Sequence, residues 1–302
     1  MDSSEEITLV TAADKGYFLS LISLLESMKR NSPRTKCIVF DLGLRFYQKK
    51  WVRNLSPLDI HLLDVSNSKV KFDGWDALGN SGCFAWKPAV LELVGETHNN
   101  LVWADAGGLI TRELEQLEIP LKSDGVFLIR NYQHKNENWT SEDCKKIMGV
   151  NSFELNSSQV MGNFFALSLI NQDGHNLFNE WITWSSNPLA IKGDRSNHRH
   201  DQTILSIMAA RHHSKLTEPQ GHTRIGRFGK DYRLSLSNGE FFLSHRRWIS
   251  LFPINLVVGR KLQIIYLLPV ICAGLTRQVY WRLKWRIRRS EAMTRVFPLV
   301  EE

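Results

Sequence analysis

Apolar and polar positions change period within the first thirty residues. Ile7, Leu9 and Val10 form an apolar run, Asp14 follows it, and Phe18, Leu21, Ile22, Leu25 and Met28 then recur at helical spacing. The pattern predicts a buried strand, a polar turn and an amphipathic helix that stops at 31–33. A strand over 37–40 runs into Asp41, a helix is predicted around 46–55, and a strand over 60–63 runs into Asp64. After a helix over 88–94, the apolar run 101–104 stops at Asp105. Strand and helix in alternation predict a mainly parallel sheet. Open sheets of this kind bind ligands beyond the carboxyl ends of their strands, so Asp14, Asp41, Asp64 and Asp105 mark one edge as the candidate site. Acids at such positions also serve as turn formers. Tyr17 is placed to stack on a base whose edge Asp14 would bond; otherwise Asp14 caps the helix and Tyr17 fills a groove.

Five motifs, in order, then carry a family resemblance: Thr11-Ala-Ala-Asp14 with Tyr17, Phe40-Asp-Leu-Gly-Leu44, Phe84-Ala-Trp-Lys-Pro88, Trp103-Ala-Asp-Ala-Gly107 and Asp201-Gln-Thr-Ile-Leu205. Over about residues 7–248 the chain resembles GT-A glycosyltransferases, in particular the family-8 type of retaining nucleotide-sugar transferases with an altered Asp-x-Asp motif. The resemblance implies an α/β GT-A (Rossmann-like) fold, with a mostly parallel central sheet flanked by helices. It gives Thr11, Ala12, Asp14 and Tyr17 to the base of a uridine diphosphate sugar and Lys87 to the diphosphate or sugar. A lysine at a helix start is otherwise a solvated residue. Asp201 and Gln202 would meet the donor sugar, although Asp201 also suits an N-cap. The stretch 158–167, a turn entering a buried strand, would line the sugar and acceptor site through Gln159, Gly162 and Asn163. Gly162 would let a ligand approach backbone closely, or would be a β-bulge glycine.

Asp105 matters most for mechanism, because the fold's transferases use Asp-x-Asp to hold a divalent cation, Mn²⁺ or Mg²⁺, against the diphosphate. Here the second acid is Gly107, and one carboxylate is a poor anchor for an ion that wants an oxygen-rich shell. The resemblance offers His245 as a further ligand; otherwise Arg246, Arg247 and Lys87 would neutralise the diphosphate, guanidinium groups being suited to bidentate phosphate binding. His245 is alternatively a core or surface histidine. No covalent nucleophile is assigned. His198, His200, His212 and His213 match no closed zinc spacing and have no cysteine beside them. The aromatic face over 178–184 reads as core rather than as a sugar platform.

At 302 residues and 43% hydrophobic the chain has material for a sizeable core. Cys37, Cys83, Cys144 and Cys272 show no pairing pattern, so free thiols in a reducing compartment are expected. The polar, acidic residues 1–6 show no signal peptide or anchor. Composition shifts near Pro253 and predicts two regions: 1–250, the catalytic domain, and 251–302, an apolar and basic membrane-association region with a helical tail. The apolar stretch 262–275 is shorter than the roughly 20 residues that span a bilayer. Beyond it Tyr280, Trp281, Leu283, Trp285 and Ile287 interleave with Arg282, Lys284, Arg286, Arg288 and Arg289. That mixture suits an anionic membrane surface; an arm packed on the domain is the alternative. The tail accounts for most of the net charge of +7, and with no RNA- or DNA-binding motif present no nucleic-acid partner is expected. The expected partners are a nucleotide sugar, a glycan or lipid-linked acceptor, and the membrane, for a cytoplasmic protein peripheral on that membrane. The competing expectation, motivated by Gly107, is an inactive nucleotide- or glycan-binding protein of the same fold.

Overall fold

A computed structural model of the chain describes residues 6–55, 60–64, 82–194, 196–219 and 240–244. These lie within a compact unit, Met1–Ser250; the second unit, Leu251–Glu302, which holds the basic tail, is outside the described residues, as are His245, Arg246 and Arg247.

The first strand, β1 (Ile7–Ala13), is buried along its whole length and feeds α1 (Phe18–Asn31). β2 (Lys36–Asp41), α2 (Phe46–Arg53) and β3 (Ile60–Asp64) repeat the unit. A 3-10 turn over Gly82–Phe84 leads into α3 (Trp86–Gly95), β4 (Asn100–Ala104) and the short β5 (Gly108–Ile110). Then come α4 (Glu118–Asp124), β6 (Val126–Lys135), α5 (Glu142–Met148), α6 (Ser152–Asn156) and β7 (Ser158–Ser168). The described chain closes with α7 (Gln172–Ser185), α8 (Pro188–Ile191), α9 (Asp201–Arg211), β8 (Leu216–Thr217) and β9 (Phe242–Ser244).

Among the described residues seven strands form one sheet in the order β3-β2-β1-β4-β7-β6-β8. The half predicted from strand-helix alternation, β3-β2-β1-β4, is parallel throughout. Beyond it the sheet is mixed: β7 runs antiparallel to both β4 and β6, and β8 parallel to β6. Apolar runs report burial and not direction, so this reversal leaves no trace in the hydrophobic pattern.

Side chains alternate across each strand and fill two layers. On one face Val10, Phe40, Trp103 and Phe165 meet Val90 and Leu91 of α3, Trp181 of α7 and Leu205 of α9. α1 covers the other face, with Leu21, Leu24 and Leu25 fully buried. Phe178 and Trp181 are core, as read from the sequence. β5 pairs antiparallel with β9, setting Gly108 opposite Ser244. A Cβ on Gly108 would fall 1.9 Å from Cζ of Phe242, whose ring stacks on Phe164 at 5.2 Å. No helix among the described residues is long and apolar enough to cross a membrane.

Candidate functional site

The carboxyl ends of β1, β2 and β4 share one edge, and their acids do different things there. Oδ1 of Asp14 accepts the backbone N–H groups of Gly16 and Tyr17 at 2.7 and 2.9 Å, so it turns the chain into α1. Asp41 is buried; its Oδ1 accepts from Gly43 and Leu44 at 2.9 and 2.6 Å, and its Oδ2 pairs with Lys49. Gly43 has φ +112°, a conformation that favours glycine. The two loops are laced together by Leu42 N–H to the Ala13 carbonyl and Lys15 N–H to the Gly43 carbonyl, at 3.0 and 3.2 Å. The Asp-Leu-Gly motif is therefore a loop-building device. Thr11 and Ala12 are buried in β1, and the Thr11 hydroxyl has no hydrogen-bond partner among the described residues.

Asp105 turns elsewhere. Its N–H donates to the Asn163 carbonyl at 2.9 Å, fixing the end of β4 against β7, and its Oδ1 accepts the indole N–H of Trp103 at 2.7 Å. Trp103 lies two residues back, in β4, and its ring leans on Trp86 with centroids 5.7 Å apart. Lys87 reaches the same oxygen from the first turn of α3. Its Nζ donates to the Gly162 carbonyl at 2.7 Å and lies 3.2 Å from Asp105 Oδ1, 3.4 Å from Asp201 Oδ2 and 5.0 Å from the Trp103 ring centroid. An ammonium has three N–H donors, and here each has a partner. Lys87 is thus no solvated lysine, and a direct bond to a diphosphate would require it to release one of these groups.

Asp201 is the first residue of α9 and not its N-cap; His200, at φ +53°, holds that position. The indole N–H of Trp181 donates to the Asp201 carbonyl at 3.1 Å, which anchors the helix start. Burial alone would push the Lys87 ammonium down, but the Asp105 and Asp201 carboxylates outweigh it and the pKa lies above its ordinary value. Burial pushes the Asp201 carboxyl up, against the pull of Lys87. Gln202 donates from Nε2 to the Val160 carbonyl at 2.9 Å. A Cβ on Gly162 would come within 3.0 Å of Cβ of Gln202, so the glycine makes room for that side chain while its carbonyl holds Lys87. Gln159 is fully buried and lies at hydrogen-bond reach of Gln202 and Thr203, both at 3.5 Å.

Lys87, Asp105, Gly162, Asn163, Asp201 and Gln202 thus converge, with Gln159 behind them, while Asp14 and Tyr17 stand at the end of the neighbouring strand β1. The sequence named Trp103 only as the start of its motif and Gly162 only for ligand approach; their bonds to Asp105 and Lys87 were not expected. The available signal for Trp103 was its spacing of two from Asp105 on a strand.

The described residues make a poor divalent-cation site. Among them no group of three His, Cys, Asp or Glu side chains could hold a metal. Asp105 Oδ1 is taken by Trp103 and Lys87, which leaves Oδ2, and the ammonium beside it opposes a second cation. His245 would have to complete such a site; Ser244, the residue before it, pairs with Gly108. The other histidines are structural. His198 is buried, with Nδ1 accepting from Ser141 N–H at 3.3 Å and its ring 5.4 Å from that of His200; burial, and then His200, push its pKa down to about 4. His200 Nδ1 donates to the Ile191 carbonyl at 3.0 Å. His212 lies 3.2 Å from Glu180, and His213 packs on Phe153.

No protein-family profile matches the chain, and no curated protein matches it in sequence. Solved structures do resemble it. In the bifunctional glycosyltransferase WbbM, 81% of this chain aligns with 46% of that one at TM-score 0.54 and 13% identity. The galactosyltransferase LgtC, solved with donor and acceptor sugar analogues, aligns over 83% of this chain and 94% of its own, at TM-score 0.49 and 16% identity. Mouse xyloside xylosyltransferase 1 aligns over 80% and 97%, at TM-score 0.49 and 9% identity. With its mixed sheet, flanking helices and strand-end acids, the chain has the GT-A-like fold of glycosyltransferases.

Proposed function

We propose that the protein is a glycosyltransferase that moves a hexose from a uridine diphosphate sugar to a lipid-linked or surface-polysaccharide acceptor, with retention at the anomeric carbon. The observation that carries this reading is the meeting of Lys87, Asp105 and Asp201 at the carboxyl edge of a GT-A-like sheet. The base would lie at the end of β1, stacked on Tyr17 and bonded to the Asp14 oxygen that the turn leaves over. The sugar would lie toward Asp105, Asp201 and Gln202, with Gln159, Gly162 and Asn163 beneath it.

Chemistry in this class is departure of a nucleoside diphosphate from the anomeric carbon, and positioned charges and dipoles supply most of the stabilisation. Asp105 and Asp201 would face the cationic character that develops on the sugar. Arg246 and Arg247 are the cations proposed for the diphosphate, because the donors of Lys87 are spent. Dependence on Mn²⁺ or Mg²⁺ would rest on Asp105, His245 and the diphosphate itself. The acceptor class rests on the basic tail alone.

The test is release of uridine diphosphate by the full chain, with and without glycan acceptors, in Mn²⁺ and in chelator. Asp105→Asn and Asp201→Asn should each lower turnover by about 100-fold. Turnover that both variants leave intact would overturn the assignment. A second reading, a nucleotide- or glycan-binding protein without catalysis, is favoured by Gly107 and by the filled shell of Lys87. It expects calorimetric binding of uridine diphosphate with no release from any donor.

A further inference from the structure

The centre around Lys87 has an imbalance of hydrogen-bonding groups. All three donors of the ammonium are committed to Gly162, Asp105 and Asp201. On the acceptor side, Oδ2 of Asp105, Oδ1 of Asp201 and Oε1 of Gln202 have no donor among the described residues. The orientation of the Gln202 amide is fixed, because the Val160 carbonyl has to face its NH₂ group. The Asp201 side chain is 6% exposed, and its one ion pair among the described residues is the 3.4 Å contact with a lysine that Asp105 shares. A carboxylate can accept about four hydrogen bonds, so Asp201 has acceptor capacity that the described residues do not fill. The Asp105 side chain, 44% exposed, is where a ligand can enter. Two carboxylates against one ammonium also leave the trio one negative charge in excess.

From this surplus of acceptors and of negative charge we infer that the centre takes the hydroxyl-bearing, uncharged face of a hexose and rejects a hexuronate. This rests on the proposed transferase reading and deepens it by naming the class of sugar. Hydroxyl groups would donate to Asp201, Asp105 and Gln202, supplying donors that the described residues do not. A C6 carboxylate would bring a third anion to a centre where no donor among the described residues is free to meet it, and like charges at close range are unfavourable. Asp201 is the discriminating residue: its carboxylate is 6% exposed and shares its lysine with Asp105, and its substitution by Asn keeps the shape while removing the charge.

The experiment is calorimetric titration of the full chain with uridine diphosphate and with two matched pairs, uridine diphosphate glucose and glucuronate, and guanosine diphosphate mannose and mannuronate. Each pair differs only by CH₂OH against COO⁻ at C6. In at least one pair the uronate should bind about tenfold or more weakly than the hexose. Asp201→Asn, checked for native melting, should narrow that ratio to within about threefold; Asp105→Asn, if Asp201→Asn does not fold, should narrow it in the same direction. Equal affinity for hexose and uronate in the wild type overturns the inference and leaves the transferase reading standing. So does an unchanged ratio in a folded variant, which would locate the discrimination elsewhere. Binding of a free nucleoside diphosphate with no effect of the sugar also overturns it, and binding of none of the probes removes both the inference and the reading beneath it.

Discussion

Lys87 sits in the first turn of α3, where the aligned backbone dipoles disfavour a cation, and it is buried as well. Two carboxylates from distant parts of the chain make that position tenable. Breaking such a buried pair from one side leaves a lone charge, so Lys87→Met should cost about 3–5 kcal/mol in urea denaturation. The double variant Lys87→Met with Asp201→Asn should cost less than the sum of the singles; strict additivity would show that the two do not interact. His198 makes a second residue-scale prediction. Its pKa is about 4 in the folded chain against an ordinary 6.5, so below pH 6.5 the unfolded state takes up a proton that the native state refuses. Stability contributed by this group is present above pH 6.5 and falls as pH drops toward 4, by about 3 kcal/mol in full. His198→Asn should flatten that acid loss, and an unchanged pH profile would contradict the assignment.

Elements were legible where their periodicity is local. β1, α1, β2 and the strand ending at Asp105 follow from the apolar spacing, and Trp181 reads as core because it repeats with Phe178 along one helix face. Pairing partners were not legible. Nothing near Gly108 in the sequence announces that Phe242 will lie against it, because the contact joins segments 134 positions apart. That contact predicts that Gly108→Ala, which would drive a methyl into the Phe242 ring, costs about 1–3 kcal/mol. A thermal melt unchanged from the wild type would show that the ring moves freely aside. The site was half legible for the same reason. Asp105, Lys87 and Asp201 were named singly for their motifs, whereas their convergence on one ammonium depends on β7 lying beside β4 and on where α9 begins.

The chain as a whole carries its charge unevenly. Arg282, Lys284, Arg286, Arg288 and Arg289 belong in sequence to the unit Leu251–Glu302, whereas the strand-end acids belong to Met1–Ser250. The membrane proposal makes a measurable claim for that unit. Each basic residue near an anionic surface contributes about 1 kcal/mol, so the full chain should co-sediment with phosphatidylserine vesicles at low salt and be released as salt rises. Replacing Arg282, Lys284 and Arg286 by Gln should weaken this binding about 100-fold or more, and salt-insensitive binding would point to packing on the domain instead.

The ammonium held by three segments also bears on ancestry. Loss of Lys87 alone strands a buried anion, and loss of Asp201 alone leaves Lys87 with one carboxylate near a helix N-terminus, so neither change is easily accepted by itself. Positions 87, 105 and 201 should therefore evolve as a linked trio, intact in descendants that keep the charge and replaced jointly in lineages that discard it. Drift at position 87 with both acids retained would mark a branch in which another cation has taken over its post.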